Sequence, residues 1–566
     1  MTAKDPTSFN ADIGQSSQAQ SLVTSAAVFT PVLEAHQPAP DDYYQNTFTE
    51  IVTFVAAHYA SVVPGEVLHT LQNFLKARPA EQRLLARLLT RKGPVFFENH
   101  LRYREVPDIQ QAISGLENCG LIRRGSDVPA DVLLASLTKS NLLDMFANTY
   151  GRLSGAKSLR KDKLLEHLLG HRDDRSIRRT VWHTEPWCTI AAVEHWQLAQ
   201  LLYFGRSGQD WSAHVRRDLG QLRYEQVELS QTRFADAADL QCYLRERELS
   251  RRVFRLEDWP RLLPGLVADL LQPVTDPLSA RLRNRSLLRV GKWCERREEW
   301  STALAVYERA GIPPSRERRV RILHKLGRHE DSEALRAQML EFPQSATESV
   351  FAQRFQRRGL GFSPDTTCWD LAQPQDSVEQ YVLEELVAQG GWGIHSENAL
   401  LKTLTGLIYW QAIFSPQPGA FTNPFQAAPQ DLHEPDFVLQ RAQTIAAIEA
   451  RISADDDLAS HMREICEAKR GIANPLVSWG LLEAIELDQW LNALPGDWIR
   501  NLSYFLIRNL SDYRKGFPDL FVCYPNGDVE LVEVKGPGDQ LQPQQRAWFE
   551  VFKRLGIRAR VIKLRL

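Results

Sequence analysis

Near the carboxy end of this 566-residue chain, Glu533 and Lys535 stand two residues apart in the run Val529-Glu530-Leu531-Val532-Glu533-Val534-Lys535. In an extended strand that spacing puts both side chains on one face, with Val532 and Val534 on the other. A carboxylate and an ammonium among apolar neighbours are costly to desolvate unless they are used. A second carboxylate is within reach, because Asp519 follows Pro518 near the start of the preceding apolar run, Phe517 to Tyr524. Two carboxylates beside a lysine suit a hard divalent cation, Mg²⁺ or Mn²⁺. Such an ion takes oxygen ligands, keeps several waters and bridges phosphate oxygens, while the lysine orients or deprotonates the attacking water. The plain alternative for an isolated E-x-K is a salt bridge on an edge strand.

The elements that must position these groups follow from local pattern. Phe517–Tyr524 and Val529–Lys535 read as strands, and Pro525-Asn526-Gly527-Asp528 between them is a strong turn signal, so the two make a β-hairpin. Gly536-Pro537-Gly538 stops the second strand, 543–555 is an amphipathic helix, and 558–566 alternates again as a strand, giving an α/β core. A two-residue Asn526-Gly527 loop would set Asp519 opposite Val534 and Leu520 opposite Glu533, turning the two carboxylates to opposite faces. The proposed site therefore requires an odd loop, a bulge or a splayed strand.

Upstream the chain changes character. Its length predicts several domains, and 43% hydrophobic with 24% charged residues is the composition of globular proteins. No run of about 18 apolar residues is present, which argues against a membrane span, and no secretory signal opens the chain, so a soluble, cytoplasmic protein is expected. The seven cysteines are scattered singly without a C-x-x-C pair and read as reduced thiols. The 68 basic and 70 acidic side chains nearly cancel, but unevenly along the chain. Residues 1–60 carry net −5, 152–180 net +5, 281–328 net +9 and 537–566 net +5. Basic segments of this density suit contacts with a phosphate backbone.

Residues 1–42 read as a flexible acidic arm, and 43–180 as an amino-terminal helical domain in which Phe74–Arg124 resembles a winged helix. Within it, Leu137–Leu168 resembles the SAP module, a DNA-contacting helix-loop-helix, with Lys157, Lys161 and Lys163 as candidate contacts. Residues 181–372 read as a helical domain resembling tetratricopeptide repeats, with Trp300–Ala310 and Leu323–Ala334 as two antiparallel helices around Pro313-Pro314. Arg and Lys there interleave with Trp293, Trp300 and Tyr307, as snorkelling stems over aromatics or as the lining of a nucleic-acid groove. Residues 373–566 read as the catalytic domain. The expected architecture is thus multidomain and mostly α-helical, with a carboxy-terminal α/β domain.

Pro518-Asp519, thirteen intervening residues, and Glu533-Val534-Lys535 match the PD-(D/E)xK signature of restriction-endonuclease-like nucleases. Gly516-Phe517-Pro518-Asp519-Leu520 and Leu531–Pro537, then Asp539-Gln540-Leu541 and Gln544-Gln545, resemble the virus-type replication-repair nuclease (VRR-NUC) domain. Val378-Glu379 at a helix start, Gly393-Ile394-His395-Ser396-Glu397 before a helix at 400–414, Leu201–Gly205, Gln209-Asp210-Trp211 and Arg223-Tyr224-Glu225 resemble the Fanconi-associated nucleases.

The resemblance implies a structure-specific DNA nuclease of the phosphodiesterase I type. Such an enzyme cuts 5′ flaps and trims from the 5′ side in interstrand cross-link repair. It also implies two Mg²⁺ or Mn²⁺ ions, bridged by Asp519, with Glu533 and the Val534 carbonyl on one, Glu397 on the other and Lys535 serving the nucleophile. The chain departs from the family at His395-Ser396-Glu397-Asn398, where Gly often flanks the Glu, so Glu379 is the alternative ligand. His395 reads as a core or loop contact. Arg508 and Arg514, and further on Lys553, Arg554 and Arg558, are candidate phosphate contacts. The expected partner is branched or 5′-flap DNA, bound by a monomer that can dimerise on DNA, in a bacterial cytoplasm near the nucleoid. The rival readings are a restriction-type endonuclease and a DNA-binding scaffold that has lost activity.

Overall fold

The computed structural model describes residues 43–565, except 92, 126, 151–154, 206–222, 230–231, 357–361, 372–376 and 389. The acidic arm and Gln209-Asp210-Trp211 lie outside the described residues.

Four amino-terminal helices, Tyr43–His58, Gly65–Lys76, Pro79–Thr90 and Ile109–Asn118, pack with Val193–Phe204 around a core that includes Phe48, Phe74 and Trp196. The helix 109–118 starts where Asp108 accepts a hydrogen bond from the Gln111 N–H at 2.8 Å, which satisfies a donor at its first turn. Strands β1 (Phe96–Phe97), β2 (Ile122–Arg124) and β3 (Trp187–Ile190) form an antiparallel sheet with β3 central. Helices followed by a short strand match the winged-helix expectation. The SAP-like helices run Lys139–Met145 and Lys161–His171, sharing a small core with Leu142, Leu164 and Leu168.

The helical array runs through Pro277–Arg296, Trp300–Ala310, Ser315–Lys325, His329–Glu341 and Ala346–Arg354. Here the two-helix expectation is corrected. Leu323 and Ala334 lie on different helices, because Gly327 at φ 75° ends one before His329 starts the next. The first pair of helices packs closely: a Cβ on Gly291 would stand 2.5 Å from the Tyr307 ring, so only glycine fits there.

The carboxy-terminal unit, read from the sequence as the catalytic one, is a five-stranded sheet in the order β4-β8-β7-β6-β5, comprising β4 (Thr366–Asp370), β5 (Trp392–His395), β6 (Leu520–Cys523), β7 (Val529–Lys535) and β8 (Ala559–Arg565). β8 pairs in parallel with β4 and β7, while β6 runs antiparallel to β7 and β5. The expected strand-strand-helix-strand core is present, and β4 and β5 extend it. Strand alternation separates two cores. Leu520, Val522, Val532, Val534 and Ile562 pack with Leu383 of helix Val378–Val387, whereas Phe521, Val529, Leu531 and Val561 pack with helices Ala399–Ile408, Gly496–Arg508 and Pro543–Leu555. Among the described residues no helix is long and apolar enough to cross a membrane.

Candidate active site

The β6–β7 register is Leu520 with Val532, Phe521 with Leu531, Val522 with Glu530 and Cys523 with Val529. The loop that sets it is odd. Tyr524 N–H donates to the Asp528 carbonyl at 2.8 Å, which leaves Pro525, Asn526 and Gly527 as a three-residue connection with Gly527 at φ 83°. Continued one step beyond Leu520, this register sets Asp519 opposite Glu533, so both carboxylates lie on the face of the 543–555 helix.

One further step brings Pro518 opposite Val534. Proline has no N–H to give the Val534 carbonyl, and the Val534 N–H donates instead to Oδ2 of Asp519 at 2.9 Å. The adjacency Pro-Asp thus interrupts the ladder at the Val534 carbonyl, the backbone ligand that the family resemblance implies. The main chain of Asp519 is pinned from the other side. Its carbonyl accepts from the N–H groups of Ser396 and Glu397, both at 3.0 Å, just beyond β5. Glu397 there adopts φ 40°, a strained backbone for a residue with a side chain.

Glu533 is fully buried. Its Oε1 accepts from Nζ of Lys535 at 2.6 Å and from the side-chain amide of Gln545, while its Oε2 is buried without a hydrogen-bond partner. Burial, and next the charge of Asp519, push the Glu533 carboxyl up to about 8. Burial likewise raises Asp519. Two carboxyls within hydrogen-bonding reach, one bearing an unsatisfied oxygen, form a site short of positive charge. An oxygen-only donor set of this kind fits Mg²⁺ or Mn²⁺. Among the described residues, however, no group of three or more His, Cys, Asp or Glu side chains comes together to hold an ion.

The remaining candidates are distributed unequally. Glu397 has a side chain 61% exposed and lies 3.6 Å from Nε2 of His395, so its carboxylate is beside the pair and not closed onto it. Glu379, in the first turn of the 378–387 helix, hydrogen-bonds Ser377 and is near enough to raise Asp519 by its charge. His395 closes β5, opposite Leu520, and its charge acts on Asp519 against the effect of burial. Arg508 makes two hydrogen bonds to Glu449, at 2.6 and 3.0 Å, and stacks on Tyr504, so it is engaged as an internal clamp. Arg558 pairs with buried Glu530 at 3.1 Å and stays exposed. Lys553 and Arg554 lie over the rings of Phe362 and Phe505. Lys161 donates to the Ala135 carbonyl at 2.6 Å, Lys163 pairs with Glu166, and Lys157 is exposed.

Arg514 differs from Arg508, being exposed and without a carboxylate partner among the described residues. It belongs to a cationic group that sequence reasoning missed. Burial and the charges of Arg514 and Lys515 press the Lys402 ammonium down, and only Glu397 opposes them. Gln545 was also missed as a site residue. Its Oε1 caps the helix by accepting from the Gln542 N–H at 2.9 Å while its amide holds Glu533, and the Q-x-x-Q spacing is the signal that could have marked it.

The chain is similar to known nucleases along most of its length. Residues 454–565, which contain Asp519, Glu533 and Lys535, match the VRR-NUC domain family, and residues 42–123 match the family described as FAN1, HTH domain. The chain is 31% identical over 540 residues to a Fanconi-associated nuclease 1 homolog of Pseudomonas aeruginosa, covering 92% of this chain and 95% of that one. It is 25% identical to a homolog of the same name from Oryza sativa subsp. japonica, where the match spans 92% of this chain but 62% of the plant protein. A crystal structure of paFAN1 bound to 2-nucleotide 5′-flap DNA with a gap superposes with TM-score 0.82 at 30% identity, covering 94% of this chain and 99% of that chain.

Proposed function

The chain belongs to the Fanconi-associated nuclease family, and on that premise we propose that it is a structure-specific DNA nuclease that cuts 5′ flaps and degrades DNA from the 5′ side in interstrand cross-link repair. The observation that carries the reading is the opposed pair Asp519 and Glu533, with an orphaned carboxylate oxygen and Lys535 at 2.6 Å. Two divalent ions, Mg²⁺ or Mn²⁺, held by Asp519, Glu533, the Val534 carbonyl and Glu397 or Glu379, would supply the Lewis acidity that stabilises charge on the phosphate oxygens.

The protein's own groups do the rest. Lys535 fixes Glu533 and is the proton carrier nearest the pair, placed to orient the attacking water. Gln545 holds Glu533 from the opposite element. Arg514, with Lys402 and Lys515, presents cations where a DNA phosphate would neutralise their mutual repulsion. The SAP-like segment adds the exposed Lys157 as a backbone contact remote from the chemistry.

The test is Mg²⁺- or Mn²⁺-dependent cleavage of a labelled 5′-flap duplex by the wild type and by Asp519→Ala. Cleavage by the wild type alone is expected. Equal cleavage by both would falsify the site, and none by the wild type would favour a DNA-binding scaffold.

A further inference from the structure

Two cavities adjoin on the helical array, one at its border with the catalytic unit and the other within the array. One, of about 600 Å³, is lined by Arg321, Phe351, Arg354, Phe355, Gln544 and Arg546. The other, of about 670 Å³, is lined by Arg289, Lys292, Trp300, Arg318, Arg321 and Lys325. Arg321 borders both, so the two meet at that side chain and line up as one basic track.

The charges on its walls are not balanced. Arg318 and Arg321 pair with Glu295 and Glu317, and Lys325 pairs with Glu298. Arg289, Lys292, Arg354 and Arg546 have no carboxylate partner among the described residues. Arg354 and Arg546 come from different units, the array helix 346–354 and the catalytic helix 543–555, yet are close enough that burial and the charge of Arg354 weaken the hold of Arg546 on its proton. The two units are fastened at this point, since the Ala346 N–H donates to Asp512 at 3.0 Å. Like charges held together in a partly buried cleft mark the place of a missing anion.

Aromatic faces accompany the cations. The Lys325 ammonium lies 4.3 Å from the Trp300 ring centre, and Arg321 lies 4.8 Å from that of Phe351. At the far end Arg289 lies 3.8 Å over Phe254, a ring that is 62% exposed. Cavities of this size match a small ligand such as a nucleotide or two. Cations interleaved with aromatic rings, four of those cations without a carboxylate partner among the described residues, are the chemistry that holds a single strand, phosphates on the cations and bases on the rings.

We propose that this track binds single-stranded DNA and leads it to the catalytic unit. Its inner end is the start of the 543–555 helix, where Gln544 lines the cavity and the next residue, Gln545, holds Glu533. The proposal rests on the nuclease reading and names the path of the unpaired strand in that same reaction.

The experiment measures fluorescence anisotropy of a labelled oligodeoxythymidylate, and separately of a nicked duplex without a flap, in a chelator so that nothing is cut. The proteins are the full chain, Arg354→Gln/Arg546→Gln and Arg289→Gln/Lys292→Gln. Each double variant is expected to bind the oligonucleotide about tenfold more weakly. Its salt dependence should be shallower by roughly 0.7 per cation removed, with binding of the flapless duplex unchanged. Wild-type affinity for the oligonucleotide in both variants overturns the track, as does an equal loss for the flapless duplex. Because none of these cations has an ion-pair partner, their removal orphans no carboxylate, and an unchanged melting temperature verifies the fold. Cleavage of a flap duplex by the wild type in Mg²⁺ is a separate measurement: its failure would remove the nuclease reading and leave the oligonucleotide result standing.

Discussion

Asp519 accepts a hydrogen bond from the N–H of Val534 at 2.9 Å, at a point of the ladder where Pro518 can neither donate to nor satisfy the Val534 carbonyl. That one contact orients the carboxylate and frees the carbonyl together. Asp519→Asn keeps an acceptor for the Val534 N–H but removes the charge. Cleavage should fall by about 10³-fold or more. In metal-free protein the melting temperature should hold or rise, because the repulsion on Glu533 is relieved. Parallel cleavage assays and thermal scans check the two halves. A variant that loses stability as well as activity would mean that the charge has a structural role.

The pH dependence has a definite sign. The Glu533 carboxyl sits at about 8 in the folded chain against an ordinary 4.5, so the native state holds a proton that the unfolded chain has released. Its contribution to stability is present in full below the unfolded value and is lost as pH rises toward about 8, with a slope on the order of 1 kcal/mol per pH unit. Divalent cation reverses this by replacing the proton. The gain in melting temperature on adding Mg²⁺ should therefore grow from about pH 6 to about pH 8, and in Glu533→Gln that growth should vanish.

Deleting Pro525 shortens the 525–527 loop to two residues, Asn526-Gly527, which still closes on the Tyr524–Asp528 pair. Every pair of the hairpin is then kept, and Asp519 and Glu533 stay on one face. Retained cleavage with a retained far-ultraviolet circular dichroism spectrum is the expected result, and loss of cleavage with that spectrum intact would show that the three-residue loop itself holds the register.

Gln545→Ala removes one of the two donors to Glu533 and unmakes the cap at Gln542. A fall in rate of about tenfold and a higher Mg²⁺ requirement are expected, with a stability loss of about 1 kcal/mol from the cap. Metal titrations of the cleavage rate separate the two effects, since only the first is offset by more Mg²⁺.

Arg508 and Arg514 are six residues apart in sequence and opposite in use. Arg508→Ala breaks the two-bond clamp on Glu449 and should cost about 1–2 kcal/mol of stability with DNA affinity nearly intact. Arg514→Ala should leave the melting temperature unchanged and make the salt dependence of DNA binding shallower by about 1. Thermal scans and salt titrations of binding decide both.

Most of the catalytic unit was legible because its signals are local. The i, i+2 spacing of Glu533 and Lys535, the turn at 525–528 and the apolar face of the 543–555 helix each fall within one element. The register needed an odd loop, and the position of Gly527 at φ 83° supplies it. What stayed hidden lies between elements. β5 is only Trp392–His395, too short to show alternation, and β4 is a half-exposed edge without a hydrophobic run. Gln545 is a polar residue in a first helical turn until the sheet brings Glu533 to it. Arg508 and Arg514 look alike until Glu449 takes one of them. Leu326-Gly327 keeps the apolar period of its neighbours on either side, which hides the break that Gly327 makes between two helices.

Neighbouring strands β5 and β6 are joined by the helices between residues 399 and 513, all of which the chain must lay down before Asp519 can meet the N–H groups of Ser396 and Glu397. Closing so long a loop costs entropy that is recovered only when the last pairing forms, which makes such contacts late events in folding. Refolded protein should thus regain its helical signal well before it regains the power to cut. A chain caught part-folded would hold DNA without harming it.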